Sequence, residues 1–189
     1  MLANQVSHIV VPGTFDPITY GHIDVIARAY RLCPHITVGV ALSSTKHDTG
    51  TLFSLDERVK LVKASLKEAS QSPSVASSTE KSAKKEGQNA FLTTIDVLPI
   101  EGLLVDFCQE VQAQAVVKGL RATTDFENEL AQSDLYAKMH ANLESVYVMS
   151  DPQYGFISSS MVREMASLGA DTSLLVPHVV QEALYQKFS

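Results

Sequence analysis

Short apolar β-branched runs alternate with helically spaced apolar residues along this chain of 189 residues. Ile9-Val10-Val11 opens the alternation as a run suited to a buried strand. Ile23, Ile26, Ala27 and Tyr30 recur at helical spacing and predict a helix that begins near Gly21. Ile36-Thr37-Val38-Gly39-Val40-Ala41-Leu42 reads as a second buried strand. Ser54-Leu55-Asp56-Glu57 is a capping box, with Ser at the N-cap and Glu three residues on, and it opens a helix faced by Leu55, Val59, Val62 and Leu66. The run from Phe91 to Leu98 is the third strand candidate, and a helix starts off it across Gly102 to Phe107. Ala115-Val116-Val117 forms a fourth strand that breaks at Gly119. A second capping box, Thr124 to Glu127, opens a helix through about Met139. Val146 to Met149 is the fifth strand candidate. Beyond it a helix faced by Val162, Met165 and Leu168 stops at Gly169, and a last helix opened at Pro177 packs Val180, Ala183 and Leu184. Strands and helices in such alternation predict an α/β fold: a doubly wound, mostly parallel sheet of five strands with right-handed crossovers.

One stretch falls outside this pattern. Ser70 to Gln88 is Ser, Lys, Glu and Ala with almost no large apolar residue, so it cannot bury a face. It reads as a mobile insertion, around residues 70–88, within a single domain of residues 1–189. Hydrophobic content is 45%, yet no run reaches the roughly 18 apolar residues a membrane span requires. The first strand begins too early to leave room for a signal peptide. Cys33 and Cys108 lack metal-ligand spacing and sit in apolar surroundings, which suits buried free thiols in a reducing compartment, the cytoplasm. A net charge of −6 argues against nucleic acid as a partner and leaves room for a local basic pocket that takes a small anion.

The chemistry concentrates between the first strand and the first helix, over Pro12-Gly13-Thr14-Phe15-Asp16-Pro17-Ile18-Thr19-Tyr20-Gly21-His22. A strand that leads through Gly and Pro into a helix N-terminus presents free N–H groups and a partial positive charge, a seat for phosphate. Thr14 and His22 are the polar side chains best placed there. A Gly-His pair alone would be no more than a tight turn beside a surface histidine; the whole string is far more specific. Ligands of open α/β sheets sit beyond the carboxyl ends of the strands. Lys46, in the polar loop after the second strand, therefore shares an edge with Thr14. So do Lys118 and Arg121 around Gly119, where the missing side chain lets a ligand approach and Arg121 can grip phosphate oxygens in a bidentate manner. Ser158, Ser159 and Ser160 add hydroxyls and N–H groups at another helix N-terminus, suited to the outer phosphates of a nucleotide.

The G-T-F-D-P-x-T-x-G-H string resembles the signature of nucleotidyltransferases that carry an H-x-G-H or T-x-G-H motif. In its T-x-G-H form, Thr19-Tyr20-Gly21-His22, it is most similar to the phosphopantetheine adenylyltransferase family of coenzyme A biosynthesis. Lys118-Gly119-Leu120-Arg121 resembles that family's R-G-x-R pattern, Asp125-Phe126-Glu127-Asn128-Glu129 its D-F-E-x-E run, and Ile157-Ser158-Ser159-Ser160 its I-S-S-S motif. The resemblance implies a Rossmann-like nucleotidyltransferase fold and the transfer of AMP from ATP to 4′-phosphopantetheine, by direct in-line attack with no covalent intermediate. It also implies Mg²⁺ carried on the ATP phosphates and a homo-oligomer, commonly a hexamer.

By the same resemblance His22 stabilises the transition state, with Lys46 and Arg121 beside it. Thr14, Phe15, His22, Gly119, Leu120, Arg121, Glu129, Tyr154, Gly155, Phe156, Ile157 and Ser158 to Ser160 meet ATP, whereas Thr14, Lys46, Leu104 and Lys118 meet the acceptor. Two departures bear on the acceptor. Lys118 stands where the family usually has arginine, and Asp134-Leu135-Tyr136 stands where it more often shows asparagine and methionine. The rival readings are a related enzyme that uses nicotinamide mononucleotide or a polyol phosphate as acceptor, and a nucleotide-binding regulator without turnover.

Overall fold

A computed structural model describes residues 6–42, 50–71, 90–121, 123–140 and 142–189, with the side chains of 123–128 left undescribed. The elements run β1 (Ile9–Gly13), α1 (Tyr20–Leu32), β2 (Ile36–Ala41), α2 (Leu55–Gln71), a 3₁₀ turn (Ala90–Thr94), β3 (Asp96–Ile100), α3 (Leu104–Glu110), β4 (Ala115–Leu120), α4 (Thr123–Met139), β5 (Glu144–Met149), α5 (Ser159–Ser167) and α6 (His178–Phe188). The five strands form one sheet in the order β3-β2-β1-β4-β5, and every neighbouring pair is parallel. This is the predicted doubly wound α/β architecture. The polar insertion falls largely outside the described residues, as does Lys46.

Strand residues alternate between two cores, as the period of two along a strand requires. Ile9, Val11, Ile36, Val38, Val40, Ala115 and Val117 join one face, with Ile23 and Ile26 of α1, Leu66 of α2 and Leu184 of α6. Val10 and Val116 join the other with Val105 and Phe107 of α3, and Tyr136 of α4 packs against it. Chain order reverses across the sheet between β1 and β4. These two strands pair over only Ile9↔Ala115 and Val10↔Val116, whereas β1 keeps register with β2 over its whole length, from Ile9↔Ile36 to Gly13↔Val40. The sheet therefore splits at its carboxyl end at the topological switch point, where this fold class seats ligands.

Two predicted elements differ from the pattern. The run at Phe91 does not begin as a strand. Thr93 and Thr94 donate their hydroxyls to the carbonyls of Ala90 and Phe91, each at 2.8 Å, which favours the 3₁₀ turn over a ladder. Phe91 stacks on Tyr30 with ring centroids 3.9 Å apart, and β3 begins only at Asp96. On α5, Val162 is fully buried but Met165 and Leu168 are 39% and 77% exposed. The amphipathic spacing there overstates the packed face, because polar contacts from Ser159 and Arg163 also hold this helix. The Ser54–Glu57 capping box forms as expected: the Glu57 N–H donates to Ser54 Oγ at 3.3 Å and the Ser54 N–H to the Glu57 carboxylate at 2.7 Å. Cys33 and Cys108 are buried free thiols, and burial pushes the Cys108 thiol up to about 12. Among the described residues no helix is long and apolar enough to cross a membrane.

Candidate active site

A cleft of about 920 Å³ opens at the split between β1 and β4, within the size range of cofactor and substrate sites. Its floor is the loop after β1. Phe15 there adopts φ 49°, a left-handed conformation costly for an aromatic residue and typical of functional loops. Gly13 makes room for it, since a Cβ at Gly13 would lie 2.7 Å from the Phe15 ring. The buried Phe15 ring in turn packs edge-on against His22, with centroids 5.1 Å apart.

The T-x-G-H segment is a helix cap that also fixes a tautomer. Thr19 is the N-cap of α1, and its side chain accepts from the His22 N–H at 3.4 Å. In return the Thr19 N–H donates to His22 Nδ1 at 3.0 Å. A backbone N–H can only donate, so Nδ1 is the bare nitrogen and the proton sits on Nε2. Burial, with the positive charge of Arg121 adding to it, pulls the His22 pKa down to about 4. The imidazole at the cleft is therefore neutral, with one fixed N–H donor.

Two residues that the sequence reading passed over hold this floor in place. Asp16 is 3% exposed and accepts from the backbone N–H groups of Leu52 and Phe53, both at 2.9 Å. It also pairs with Arg163 of α5 at 3.2 Å. Arg58 is 2% exposed and donates to the carbonyls of Thr14 and Ala41 at 2.6 Å each and of Phe53 at 3.1 Å. One guanidinium thus ties together the carboxyl ends of β1 and β2 and the start of α2. The signal was available: residues 55, 58 and 62 share one helix face, and a cation amid Leu55 and Val62 there calls for buried partners.

The opposite wall comes from β4, α4 and the β5–α5 loop. A Cβ at Gly119 would lie 2.5 Å from Val25, so glycine lets α1 approach β4 closely beside the cleft. Arg121 donates to the Ile157 carbonyl at 3.2 Å and so joins the end of β4 to the serine run. Ser158 caps α5 by accepting from the Met161 N–H at 3.2 Å and lies 3.1 Å from the Ser160 hydroxyl. Ser159 spends its hydroxyl on the Pro17 carbonyl at 2.8 Å, binding the serine helix to the loop after β1. The β5–α5 loop is bracketed to α1, since Asp24 accepts from the Asp151 N–H at 3.0 Å. Arg28 bridges the Asp24 and Asp151 carboxylates at 2.9 and 3.2 Å.

Of the residues singled out in the sequence, Thr14, Phe15, His22, Leu104, Lys118, Gly119, Arg121, Glu129, Ile157, Ser158, Ser159 and Ser160 line this one cleft. Leu120, Tyr154, Gly155 and Phe156 are not among its lining residues: Leu120 is buried and Phe156 is 61% exposed. Lys118 contacts Glu129 and Gln132, with the Tyr136 ring beneath its ammonium. Away from the phosphate-suited wall the lining turns apolar, with Ile100, Leu103, Leu104, Val105, Leu135 and Met139. The cleft lining thus combines cations and hydroxyls with apolar side chains and a neutral imidazole. That arrangement suits a polyphosphate beside a molecule with an apolar arm.

Known proteins resemble this chain over most of its length. The sequence profile of the cytidylyltransferase-like family matches residues 10–165. The chain is 40% identical over 179 residues to a phosphopantetheine adenylyltransferase of Staphylococcus haemolyticus, a match that covers 95% of each chain. It is 38% identical over 182 residues to one of Staphylococcus carnosus, covering 96% of this chain and 97% of the relative. A crystal structure from Vibrio parahaemolyticus, proposed to be a nicotinate-nucleotide adenylyltransferase, superposes with a TM-score of 0.64 at 14% identity. It covers 97% of this chain and 94% of that one, and shares the fold.

Proposed function

This chain belongs to the phosphopantetheine adenylyltransferase family, and we propose that its cleft moves AMP from ATP to 4′-phosphopantetheine, giving dephospho-coenzyme A and pyrophosphate. The observation that carries the reading is the tautomerically fixed, neutral His22 at the split between β1 and β4. A phosphate oxygen of the acceptor attacks the α-phosphorus of ATP, and the bond to the departing pyrophosphate breaks in line with it. Negative charge grows on the α-phosphate oxygens, and the Nε2–H of His22 donates to them. A donor already aimed at developing charge needs no reorganisation during the reaction.

Arg121 and the N–H and hydroxyl groups of Ser158 and Ser160 hold the outer phosphates, and Ser159 contributes its backbone N–H. Thr14 orients the acceptor phosphate against ATP, Glu129 meets the nucleotide, and Lys118 holds the acceptor phosphate. Lys46 takes the same role on the strength of the family resemblance. Leu104 and its apolar neighbours face the pantetheine arm. Among the described residues no cluster of three or more His, Cys, Asp or Glu side chains could hold an ion. Arg121, Ser158 and Ser160 would hold the phosphates, and a Mg²⁺ would reach this site on the nucleotide rather than on protein ligands. When bound, Mg²⁺ neutralises phosphate charge. We expect the enzyme to work as a homo-oligomer, a hexamer by resemblance, in the cytoplasm.

Pyrophosphate release from Mg-ATP by the purified protein tests the reading, with 4′-phosphopantetheine, nicotinamide mononucleotide or glycerol phosphate as acceptor. Release with phosphopantetheine alone is the expected result. Release with another acceptor only would move the assignment to that acceptor, and release with none would remove catalysis from the reading.

A further inference from the structure

Lys118 is a flexible side chain in a wide cleft, yet it is held from three sides. Its ammonium contacts the Glu129 carboxylate, donates to Gln132 Oε1 at 3.0 Å and lies 5.1 Å from the centroid of the Tyr136 ring. The Tyr136 hydroxyl donates to the same Gln132 oxygen at 3.1 Å. Glu129, Gln132 and Tyr136 stand at spacings of three and four along α4, so one helix face supplies all of these contacts. That face is pinned to the sheet by Tyr147 of β5, whose hydroxyl donates to the Glu129 carbonyl at 3.0 Å. The Lys118 side chain is 12% exposed and that of Glu129 26%.

We propose that Tyr136 and Gln132 are positioning residues that pre-set Lys118 to take the phosphate of the acceptor. An ammonium carries three donors. Among the described residues α4 occupies two of them, through Glu129 and Gln132, and the third is left for an anion in the cleft. A free lysine loses much rotamer freedom when it grips a phosphate. Here the Tyr136 ring and Gln132 impose that order before the substrate arrives. The ring adds attraction to the cation, and the hydroxyl fixes which way Gln132 presents its oxygen. The proposal rests on reading Lys118 as the holder of the acceptor phosphate, and it predicts that the effect of Tyr136 appears only with acceptors that carry that phosphate.

Calorimetric affinities of Tyr136→Leu, Tyr136→Phe, Lys118→Met and the double variant Lys118→Met/Tyr136→Leu test this. Each protein is titrated with 4′-phosphopantetheine, with pantetheine lacking the phosphate, and with ATP. Tyr136→Leu should weaken phosphopantetheine about five- to tenfold, the scale of a desolvated cation–π contact plus a freed side chain. It should move pantetheine and ATP less than twofold. Tyr136→Phe keeps the ring and should recover most of the loss. In the Lys118→Met background the Tyr136→Leu change should add nothing. Equal weakening of pantetheine and phosphopantetheine, or an undiminished effect of Tyr136→Leu without Lys118, would overturn the positioning role and reduce Tyr136 to packing. A wild-type protein that binds phosphopantetheine and passes these tests but releases no pyrophosphate with it would sink the catalytic reading and leave the positioning role standing. A wild type that does not bind phosphopantetheine would sink both.

Discussion

His22 is useful because it does not titrate where histidine ordinarily does. Its folded value of about 4 lies below the ordinary 6.5. Between those two values the unfolded chain takes up a proton that the folded protein refuses. The unfolded state binds more protons there, so stability rises with pH through this window. The contribution is fully present above about pH 6.5 and is lost as pH falls toward 4. Thermal unfolding of wild type and His22→Gln at pH 7 and pH 5 reads this directly. The wild type should lose its advantage over the variant on going to pH 5, and an unchanged difference would mean that the histidine titrates normally.

The place of this residue in the cleft was legible because the motif singles it out. The role of Thr19 as both cap and tautomer lock was not, because it depends on a side-chain turn that spacing alone does not specify. Helical spacing hinted that Arg58 is buried, but the partners of Asp16 and Arg58 stayed hidden for a different reason. Their partners lie 36 and 44 residues away for Leu52 and Thr14, and no local pattern encodes such contacts.

At the scale of elements, hydrophobic periodicity located the strands and helices because each buries one face or both. It misjudged the start of β3, where Thr hydroxyls close a turn, and the outer face of α5, where Met165 and Leu168 stay 39% and 77% exposed. It also said nothing about what joins the β5–α5 loop to α1. The buried Asp24 and Asp151 carboxylates with Arg28 form that bracket, and the loop leads straight into the serine run. Asp24→Ala removes the acceptor for both the Asp151 N–H and Arg28. It should cost about 2–3 kcal/mol, the scale for losing hydrogen bonds to a buried charge. It should also weaken ATP binding several-fold, because the loop that presents Ser158 and Ser160 loses its seat. Denaturant unfolding and ATP calorimetry on this variant check both halves. Lost stability with unchanged ATP affinity would show that the bracket serves folding alone.

At the scale of the whole molecule, alternation of strands and helices implies a parallel sheet, but the strand order and the split between β1 and β4 arise only when the chain closes. That split explains why motifs from distant parts of the sequence face one another. The loop after β1, the end of β4, the Glu129–Met139 face of α4 and the serine helix all meet at one edge. It also explains how a protein of net charge −6 can take polyanionic substrates, since Lys118 and Arg121 lie in the cleft itself and a cleft focuses their field.

We propose that His22 acts on the transition state and not on ATP in its ground state. His22→Ala tests it, with steady-state turnover and ATP affinity measured on the same preparation. Turnover should fall at least about 100-fold, roughly the loss known for removing one preorganised oxyanion donor, while the Kd for ATP stays within about threefold, as expected when only transition-state binding is lost. Near-normal turnover in this variant would contradict it.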